Sequence, residues 1–402
     1  MHGKMASKDV IVVGAGPVGL VAAALLAKAG VAVTVVEAQR DVADDLRGST
    51  FHPPTLEHLD RLGVTDELIR QGLVSPQWQY RDRKTGVVAT FDLAVLASET
   101  RHPYRVQCEQ WKLTRMLRDR MESEGSATFI YGAQATGVAQ TADEAVLTIN
   151  REDGRSDTLA GAYVIGADGA RSAIRKSLNV AFDGITIPEL YLTLSTTFDF
   201  DKQVPDLAHV AYVSDPDEWF VLLRTPTMWR VLFPTDASLT DDQMLAPAVV
   251  EARLQAVAAH ADRYEIVHKT AYRVFERVAD RYVVGRVMLA GDAAHLNNPL
   301  GGMGMNGGIH DAVNLADKLV EVLNGADPAL LGRYERQRRK VALETVQAQA
   351  LRNRQIMNER DPAKRDAYHA ELRATASDPD RARAYLLRSS MIQSLRDLEQ
   401  VA

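Results

Sequence analysis

Cysteine is almost absent from this sequence, which limits how the fold can be stabilised. The 402 residues contain one cysteine, Cys108, so an intrachain disulfide is excluded. Such a chain is typical of a reducing compartment, and we predict a cytoplasmic location. Cys108 itself is either a nucleophile or a packed thiol, and a packed thiol is the more frequent case.

Long apolar runs, an excess of positive charge and metal-ligand clusters are also lacking. No apolar run reaches the roughly 18 residues of a transmembrane helix, so no membrane span is predicted. The chain carries 47 Lys and Arg against 53 Asp and Glu, a formal net charge of −6, and has no concentrated basic run. These features argue against general nucleic-acid binding. No convincing metal-ligand cluster is found, so no metal site is predicted.

The stretch from Asp9 to Glu37 has the pattern of a nucleotide-binding βαβ unit. It begins with an apolar, β-branched run at 10–13 that predicts a buried parallel strand. Glycines in G-x-G-x-x-G spacing follow, and a helical pattern runs from about Pro17 to Lys28. A second apolar strand, Val31 to Val36, ends on Glu37.

Each glycine of this unit has a separate physical role. Gly14 allows the tight turn out of the strand, Gly16 lets a pyrophosphate approach the backbone, and Gly19 lets the helix pack closely on the sheet. The helix N-terminus favours an anion, and Glu37 is placed to accept hydrogen bonds from ribose hydroxyls. The unit predicts a dinucleotide that contains ADP, and by itself it leaves NAD and FAD open.

Two further strands end in a glycine and an acid. The apolar run from Leu159 to Ile165 leads into Gly166-Ala167-Asp168-Gly169. The short strand at 287–290 leads into Gly291-Asp292, a glycine-rich loop, and a helix predicted from about Asn306 to Leu319. An acid at a strand end and free amides at a helix start suit the two ends of one polar ligand.

These motifs together resemble the class A flavoprotein monooxygenases, the para-hydroxybenzoate hydroxylase type. The resemblance rests on Gly14-Ala15-Gly16-Pro17-Val18-Gly19, on the motif at 166–169, on Gly291-Asp292-Ala293-Ala294-His295, and on the run Pro299-Leu300-Gly301-Gly302-Met303-Gly304-Met305-Asn306. It implies an α/β fold, with a Rossmann-like FAD-binding domain, an inserted and mostly antiparallel β-sheet substrate domain, and C-terminal helices. Two departures are Asn298, where a proline is frequent, and Leu300, where a polar residue is frequent.

The resemblance also implies a division of the chain. Residues 5–76, 109–181 and 283–325 would form the FAD-binding domain. Residues 77–108, as a hairpin, and residues 182–282 would form the substrate domain. Residues 326–402 would form a helical segment that covers the sheet and is a candidate homodimer contact.

The family roles carry over to this sequence by position. The first glycine motif would bind the FAD pyrophosphate, Glu37 and Ala38 the adenosine ribose region, and Asp292 the ribityl chain. Asp168 and Gly169 belong to a motif associated with both FAD and NAD(P)H, and Arg47 and Gln110 match residues that contact FAD. The loop along the flavin ring supplies the remaining cofactor candidates, which are Pro299, Gly302, Gly304, Met305 and Asn306.

The implied reaction is hydroxylation of an electron-rich aromatic ring through a flavin C4a-hydroperoxide. FAD would be bound non-covalently, NADH or NADPH would bind transiently, and O2 would be the second co-substrate. A phenol, a hydroxybenzoate-like acid and a hydroxypyridine all fit as the small aromatic substrate. Alternatives on the same fold are a flavin-dependent reductase or dehydrogenase, a halogenase, and a non-catalytic FAD-binding protein.

Candidates for the substrate pocket come from the inserted sheet and from the segment before Pro53. His52, Tyr212 and Arg224 are the predicted catalytic residues, and His52 is one candidate base because a histidine titrates near neutral pH. Further candidates for the pocket wall are Tyr191, His209, Trp219 and Trp229.

Overall fold

The computed structural model describes residues 9–44 and 46–402, and the predicted start of the first segment at residue 5 lies outside them. Its six-stranded sheet is built on apolar runs such as Val10–Val13, in which every residue is buried. This burial is expected for a central strand of a parallel sheet that is covered on both faces. In order across the sheet, the strands are Val283–Val284, Val287–Leu289, Tyr163–Gly166, Val10–Val13, Val33–Val36 and Thr128–Ile130.

Four neighbouring strands of this sheet end at one edge. Val287–Leu289, Tyr163–Gly166, Val10–Val13 and Val33–Val36 pair in parallel in that order. Loops that follow adjacent parallel strands leave from the same edge of a sheet, which is where ligands of open α/β folds bind. The motifs that begin at Gly291, Gly166 and Gly14, together with Glu37, therefore converge.

Helices pack around this sheet. Pro17–Lys28 begins with proline at a first-turn position, where the missing N–H costs nothing, and it packs against both Gln110–Glu124 and Met303–Leu323. Gly125, in the left-handed conformation, ends the helix Gln110–Glu124. Shorter helices before and after them are Pro53–Asp60, Thr65–Gln71 and Ala173–Ser177.

An eight-stranded sheet forms a second layer. Its strands pair antiparallel except for Val210–Ser214 with Gln77–Asp82. The hairpin predicted within residues 77–108 is formed by Gln77–Asp82 and Gly86–Asp92, with Asp82 opposite Gly86. Across the sheet, the strands are His295–Leu296, Ile266–Ala279, Phe182–Thr196, Trp229–Thr235, Phe220–Arg224, Val210–Ser214, Gln77–Asp82 and Gly86–Asp92.

The two faces of the eight-stranded sheet have different neighbours. Because side chains alternate along a strand, Tyr212 lies on one face, with Trp78 and Tyr80, in a core shared with the C-terminal helices. Its neighbour Ala211 lies on the other face, in a core with the helix Pro247–Val257. We call these the inner face and the outer face, and only the inner face contacts the C-terminal helices.

Two small antiparallel sheets and the C-terminal helices complete the described chain. One small sheet contains Ala133–Gln140, Ala145–Arg151 and Ser156–Gly161, and the other contains Thr50–Phe51, Leu73–Ser75 and Arg105–Gln107. The C-terminal part is helical as predicted. Its helices are Leu330–Val341, the π-helical turn Ala342–Gln347, Ala348–Asn358, Pro362–Ser377, Pro379–Ser389 and Ile392–Leu398.

The structure corrects two local predictions. The apolar run 159–165 is not one strand, because Ser156–Gly161 belongs to a small sheet and Tyr163–Gly166 to the parallel sheet. The chain changes sheet at Ala162, whose N–H donates to the carbonyl of Asp9. The helix predicted from Asn306 begins at Met303, since glycines in its first turns hide the helical pattern.

The inserted segment, predicted as a mostly antiparallel sheet, also contains the helices Asp241–Met244 and Pro247–Val257, which were not predicted. Among residues 9–44 and 46–402, no helix is both long enough and apolar enough to span a bilayer.

Candidate active site

The first glycine loop, residues 14–19, is packed too tightly for side chains at two of its glycines. Gly14 has φ +105°, and a Cβ there would lie 2.4 Å from the carbonyl oxygen of Ala167. A Cβ at Gly19 would lie 2.0 Å from the carbonyl oxygen of Gly14. A Cβ at Gly16 would meet no protein atom within 4 Å. Open space therefore adjoins the loop at Gly16, at the N-terminus of the helix Pro17–Lys28.

Glu37 is attached to this loop. One carboxylate oxygen accepts the N–H of Ala15 at 2.7 Å, and the other accepts the N–H of Gln39 at 2.9 Å. A carboxylate has about four lone-pair sites, so these two bonds leave acceptor capacity for ribose hydroxyls. Ala38, which follows Glu37, is exposed.

Asp168 organises its own loop. Its carboxylate accepts the hydroxyl of Ser172 at 2.6 Å and the backbone N–H groups of Ala173 and Ile174 at 2.7 and 3.1 Å. Gly169, at φ +75°, makes the turn between them. These bonds place Ala167 against the first glycine loop, where its N–H donates to the carbonyl of Val13. Asp168 thus acts on the site by shaping the chain beside Gly14.

Asp292 follows Gly291 in the third motif, at the edge where the parallel strands end. Its side chain is exposed, yet burial by the surrounding protein raises the pKa of its carboxyl, while the neighbouring His295 and Arg47 act in the opposite direction. A carboxylate that is exposed to solvent and is nevertheless surrounded by protein lies on a deep concave surface, which we call the groove. Arg47, also exposed, is close enough to contribute to the electrostatics of Asp292.

A buried ionic network supports the turn before Asp292. Asp311, on the helix Met303–Leu323, accepts the N–H of Gly291 at 3.0 Å, His295 Nε2 at 2.7 Å and Arg338 Nε at 2.5 Å. Asp311 and Arg338 have at most 1% of their surface exposed. Burial raises the pKa of Asp311, but the charges and hydrogen bonds of His295 and Arg338 outweigh this effect and lower it.

The second glycine loop, residues 298–305, is held from both sides. Asn306 accepts the N–H of His52 at 2.9 Å and donates to the carbonyls of Thr50 and Gly302. Asn298 donates its N–H and its side-chain amide to Glu276 at 2.8 and 2.6 Å. Burial raises the pKa of Glu276 to about 6. The loop is therefore a fixed element of the site.

His52 is a structural part of this arrangement. It is fully buried, and its Nε2 lies 2.9 Å from the carbonyl oxygen of Gly301, to which it donates. Burial, assisted by the charge of Arg105, lowers the pKa of His52 well below its usual value. The imidazole is therefore neutral and its Nε2 proton is already bonded, which argues against the predicted role as base.

Two other predicted cofactor residues border the same groove. Gln110 accepts the N–H of Gly48 at 3.2 Å, and a Cβ at Gly48 would lie 3.2 Å from the sulfur of Met305. Arg230 of the inserted sheet donates to the carbonyl of Arg47 and to the hydroxyl of Ser49. The segment around Arg47 is thus fixed between the two layers.

A pocket opens beside the second glycine loop. The N–H of Gly301 donates to the hydroxyl of Tyr212 at 3.1 Å, and Arg105 reaches Tyr212 from the small sheet. Side chains nearly fill the pocket, and the volume open to the centre of a water molecule is only about 10 Å³. Its walls are otherwise Trp78, Tyr80 and Met303, together with Gln349, Asn353, Tyr385 and Ser389 from the C-terminal helices.

The structure separates the predicted substrate residues. Tyr212 lines the pocket. Tyr191 and Trp219 lie on the inner face but pack in its core, with ring centroids 5.7 Å apart, and Trp219 donates its indole N–H to Asn358.

Arg224, His209 and Trp229 lie away from the pocket. Trp229 packs in the outer-face core. Arg224 is its direct partner across the strands, lies over its ring and pairs with Asp199 at 3.4 Å. His209 is joined to Arg224 through the backbone. Strand alternation puts these residues on the outer face, which argues against a catalytic role for Arg224.

Sequence reasoning missed most of the pocket. Arg105, Trp78 and Tyr80 come from residues 77–108, which were assigned to the substrate domain but without a named pocket residue, and Tyr385 and Asn353 come from helices that were predicted to cover the sheet and to be a candidate dimer contact. The one available signal was the density of aromatic and Arg residues in the strand Gln77–Asp82.

We expect Asp292→Ala to weaken FAD binding by about 10- to 100-fold, the range for a lost hydrogen bond to a charged group. Flavin retained after dialysis and the dissociation constant of added FAD measure the effect. Asp317→Ala is the control, because it removes an exposed acid that pairs with Arg61. Equal FAD affinity in the two variants would remove Asp292 from the site.

The residues around the groove fit FAD. The space at Gly16 and the helix end beside it suit a pyrophosphate, and the half-buried carboxylate of Glu37 and the exposed carboxylate of Asp292 suit hydroxyls at either end. Among the described residues, no group of three or more His, Cys, Asp and Glu side chains is placed to hold a metal ion.

Comparisons with known proteins agree with this geometry. A sequence model of a family described as "FAD binding domain" matches residues 7–349. The chain is 34% identical over 396 residues to the para-nitrophenol 4-monooxygenase of Pseudomonas sp. strain WBC-3, covering 97% of both sequences. It is 33% identical over 386 residues to the 6-hydroxy-3-succinoylpyridine 3-monooxygenase HspB of Pseudomonas putida, covering 93% of this chain and 95% of the relative.

A solved structure extends the likeness to the whole fold. The crystal structure of p-nitrophenol 4-monooxygenase PnpA from Pseudomonas putida superposes with a TM-score of 0.90 at 32% identity, covering 96% of this chain and 97% of the other. The reductase, dehydrogenase and halogenase alternatives are not favoured by these matches. The chain therefore belongs to the class A FAD-dependent monooxygenases, and it is an FAD-dependent aromatic hydroxylase.

Proposed function

We propose that this hydroxylase acts on a single electron-rich ring, a phenol or a hydroxypyridine, using NADH or NADPH and O2. One observation carries the proposal: the pocket between the inserted sheet and the C-terminal helices opens directly on the second glycine loop, at the bond between Gly301 and Tyr212. A ring in this pocket would lie beside the loop that we assign to the flavin.

The size and lining of the pocket support a small aromatic substrate. The rings of Tyr80 and Tyr212 have centroids 5.4 Å apart, and Trp78 lies 5.4 Å from the first and 5.8 Å from the second. Such rings favour an aromatic guest. The free space is small enough that a substrate enters only with side-chain movement, which disfavours large polycyclic compounds. The two relatives above are named for a nitrophenol and a hydroxypyridine.

The cofactor would lie along the groove of the parallel sheet. We assign its pyrophosphate to Gly14, Gly16, Pro17, Val18 and Gly19, its adenosine ribose to Glu37 and Ala38, and its ribityl chain to Asp292. Arg47, Gln110 and the amides of Gly304, Met305 and Asn306 would contact the remainder, with Pro299 and Gly302 shaping the loop. When bound, FAD accepts hydride from NAD(P)H and activates O2.

The side chains of the pocket orient the ring and exclude water. Burial raises the pKa of Tyr80, of Tyr212 and of Tyr385, the last to about 12. These phenols are therefore neutral hydrogen-bond donors at physiological pH. With His52 also neutral and already bonded, we find no side chain in the pocket that is poised as a base.

The test is a screen of ring compounds against the FAD-loaded enzyme. We expect p-nitrophenol or a hydroxypyridine to accelerate NAD(P)H oxidation with matching O2 consumption and a hydroxylated product, and we expect the methyl ethers of the same compounds to react poorly. Peroxide is measured in parallel to detect uncoupled turnover. If no phenol or hydroxypyridine yields an oxygenated product, or if turnover proceeds without O2, the proposed substrate class is wrong.

Two further proposals concern the cellular location and the oligomeric state of the enzyme. A cytoplasmic location is supported by the single cysteine, which is buried at Cys108. A homodimer through residues 326–402 is supported only by their charged, helical surface, and sedimentation of the FAD-loaded protein would test it.

A further inference from the structure

We propose that Arg105 is the specificity residue of the pocket, and that it binds the substrate in its anionic form by pairing its guanidinium with a phenolate or hydroxypyridinolate oxygen. The inference rests on the proposed function and adds to it the charge state of the substrate and the residue that selects it.

Arg105 is a buried cation without an acidic partner. It lies in the strand Arg105–Gln107, only 2% of its surface is exposed, and it lines the pocket. Among residues 9–44 and 46–402, no aspartate or glutamate forms an ion pair with it. Its neighbours are aromatic: its guanidinium carbon lies 5.2 Å from the centroid of Trp78, and Tyr212 lines the same pocket close enough to interact with its charge. Its Nε has no hydrogen-bond partner.

Other buried arginines donate to carbonyl or carboxylate oxygens of the chain, although Arg230 Nε and Arg338 Nη1 also lack a hydrogen-bond partner. Arg338 donates to the carboxylate of Asp311 and to a carbonyl, and Arg175 donates to two carbonyls. Arg230 donates to the carbonyls of Leu46 and Arg47 and to Ser49. A buried charge is costly unless it is paired. Arg105 stays protonated in proteins, and within residues 9–44 and 46–402 it has neither the carboxylate nor the carbonyl partners that these other arginines have.

The rest of the pocket is also rich in unsatisfied donors. Trp78 Nε1, which can only donate, and Ser389 Oγ are buried without partners. Burial keeps the nearby Tyr80, Tyr212 and Tyr385 neutral, as described above, so none of them supplies a negative charge. His52 is neutral for the same reason. The acceptor and the negative charge that Arg105 requires must therefore come from the ligand.

A consequence follows for the reaction. A guanidinium next to the ring oxygen stabilises the phenolate relative to the phenol, so the O–H bond breaks on binding and the proton passes to water. The anionic ring is more electron-rich, which an electrophilic hydroxylation requires. Arg105 thereby replaces the side-chain base that the pocket lacks.

The experiment compares two ligands that differ in one charge, with the FAD-loaded enzyme. p-Nitrophenol is used above its own pKa, where it is an anion, and 4-nitroanisole is its uncharged methyl ether. We expect Arg105→Met to weaken binding of p-nitrophenolate by about 10- to 100-fold, the range for a hydrogen bond to a charged group, and to leave 4-nitroanisole within about twofold. Arg105→Lys keeps the charge and should retain part of the affinity.

Thermal unfolding distinguishes a role of Arg105 in ligand binding from a role in stabilising the fold. A buried charge without an acidic partner carries an uncompensated desolvation cost, which an apolar side chain removes, so Arg105→Met should melt at or above the wild-type temperature. Arg83→Met is the matched control, since Arg83 also lies over a ring, that of Phe220, but is paired with Asp215 away from the pocket. That variant should bind both ligands as the wild type does.

The outcomes distinguish this inference from the proposed function. If Arg105→Met weakens the binding of both ligands equally and lowers the melting temperature, Arg105 only shapes the pocket and the inference is overturned. Unchanged affinity for p-nitrophenolate overturns it as well, while the hydroxylase reaction stands. If the wild type binds neither compound and no phenol or hydroxypyridine supports turnover, the proposed function itself fails.

Discussion

Gly16→Ala is expected to fold with the stability of the wild type and to lose most of its affinity for FAD. The backbone at Gly16 has φ −73° and ψ 175°, a conformation that alanine adopts without strain. A Cβ would meet no protein atom within 4 Å. The added methyl group would instead occupy the space beside the helix end that we assign to the pyrophosphate.

The magnitude follows from the cost of excess volume at a packed contact. Forcing a methyl group into a filled site costs about 1–3 kcal/mol, which is about a 5- to 150-fold loss of FAD affinity. FAD titration measures the loss, and thermal unfolding of the flavin-free protein measures the stability. A variant that binds FAD as tightly as the wild type would show that no ligand approaches the backbone at Gly16.

Gly19→Ala is the contrasting variant. Its Cβ would lie 2.0 Å from the carbonyl oxygen of Gly14, a backbone contact that cannot be relieved by a side-chain rotation. The helix must shift away from the strand, so the flavin-free protein should itself lose about 1–3 kcal/mol of stability or more. Two glycines of one motif thus have separable effects, one on the ligand and one on the fold.

Asp311→Ala is expected to destabilise the protein by about 3–5 kcal/mol, because it leaves Arg338 as an uncompensated buried charge. Asp311 is fully buried, and it also accepts the N–H of Gly291 and the Nε2 of His295. The turn that carries Asp292 would lose its support, so FAD affinity should fall together with the free energy of unfolding. Urea unfolding at neutral pH measures the latter.

The pH dependence gives a second test. The folded state lowers the pKa of Asp311 below its unfolded value of about 3.9. Its contribution to stability is therefore complete above the unfolded pKa and is lost as the pH falls through the folded pKa. The difference between wild type and Asp311→Ala should be constant near neutral pH and shrink in acid.

Asp317→Ala is the control for the network. It breaks an ion pair with Arg61 in which both side chains are more than 40% exposed, and exposed pairs contribute only about 0–1 kcal/mol. If Asp311→Ala costs no more than this control, the buried network does not support the site.

Particular residues show how far the sequence could be interpreted. Gly14, Glu37 and Gly291 follow parallel strands as predicted, because apolar β-branched runs and glycine spacing are local signals. The helix at Met303 was placed three residues late, since the glycines of its first turns have poor helical propensity. The strand at 159–165 was two strands, because apolar composition does not record a change of sheet.

His52 and Arg224 show which features of the site cannot be predicted from the local sequence pattern. Both were chosen for their chemistry, but His52 is buried and bonded to Gly301, and Arg224 lies on the outer face of its sheet. Which face a residue takes depends on strand register, and a shift of one residue reverses it. Register is set by pairing between distant segments, so it could not be inferred from the neighbouring residues.

By itself, the sequence determined the cofactor class, the α/β architecture and the family, because these depend on short motifs whose spacing has a direct physical meaning. Only the tertiary structure decided the pocket, since Arg105, Tyr212, Gly301 and Tyr385 lie far apart in the chain and meet at one place. The lack of an acidic partner for Arg105 has the same origin, because folding decides which groups surround a cation, and in the pocket those groups are aromatic rings rather than carboxylates.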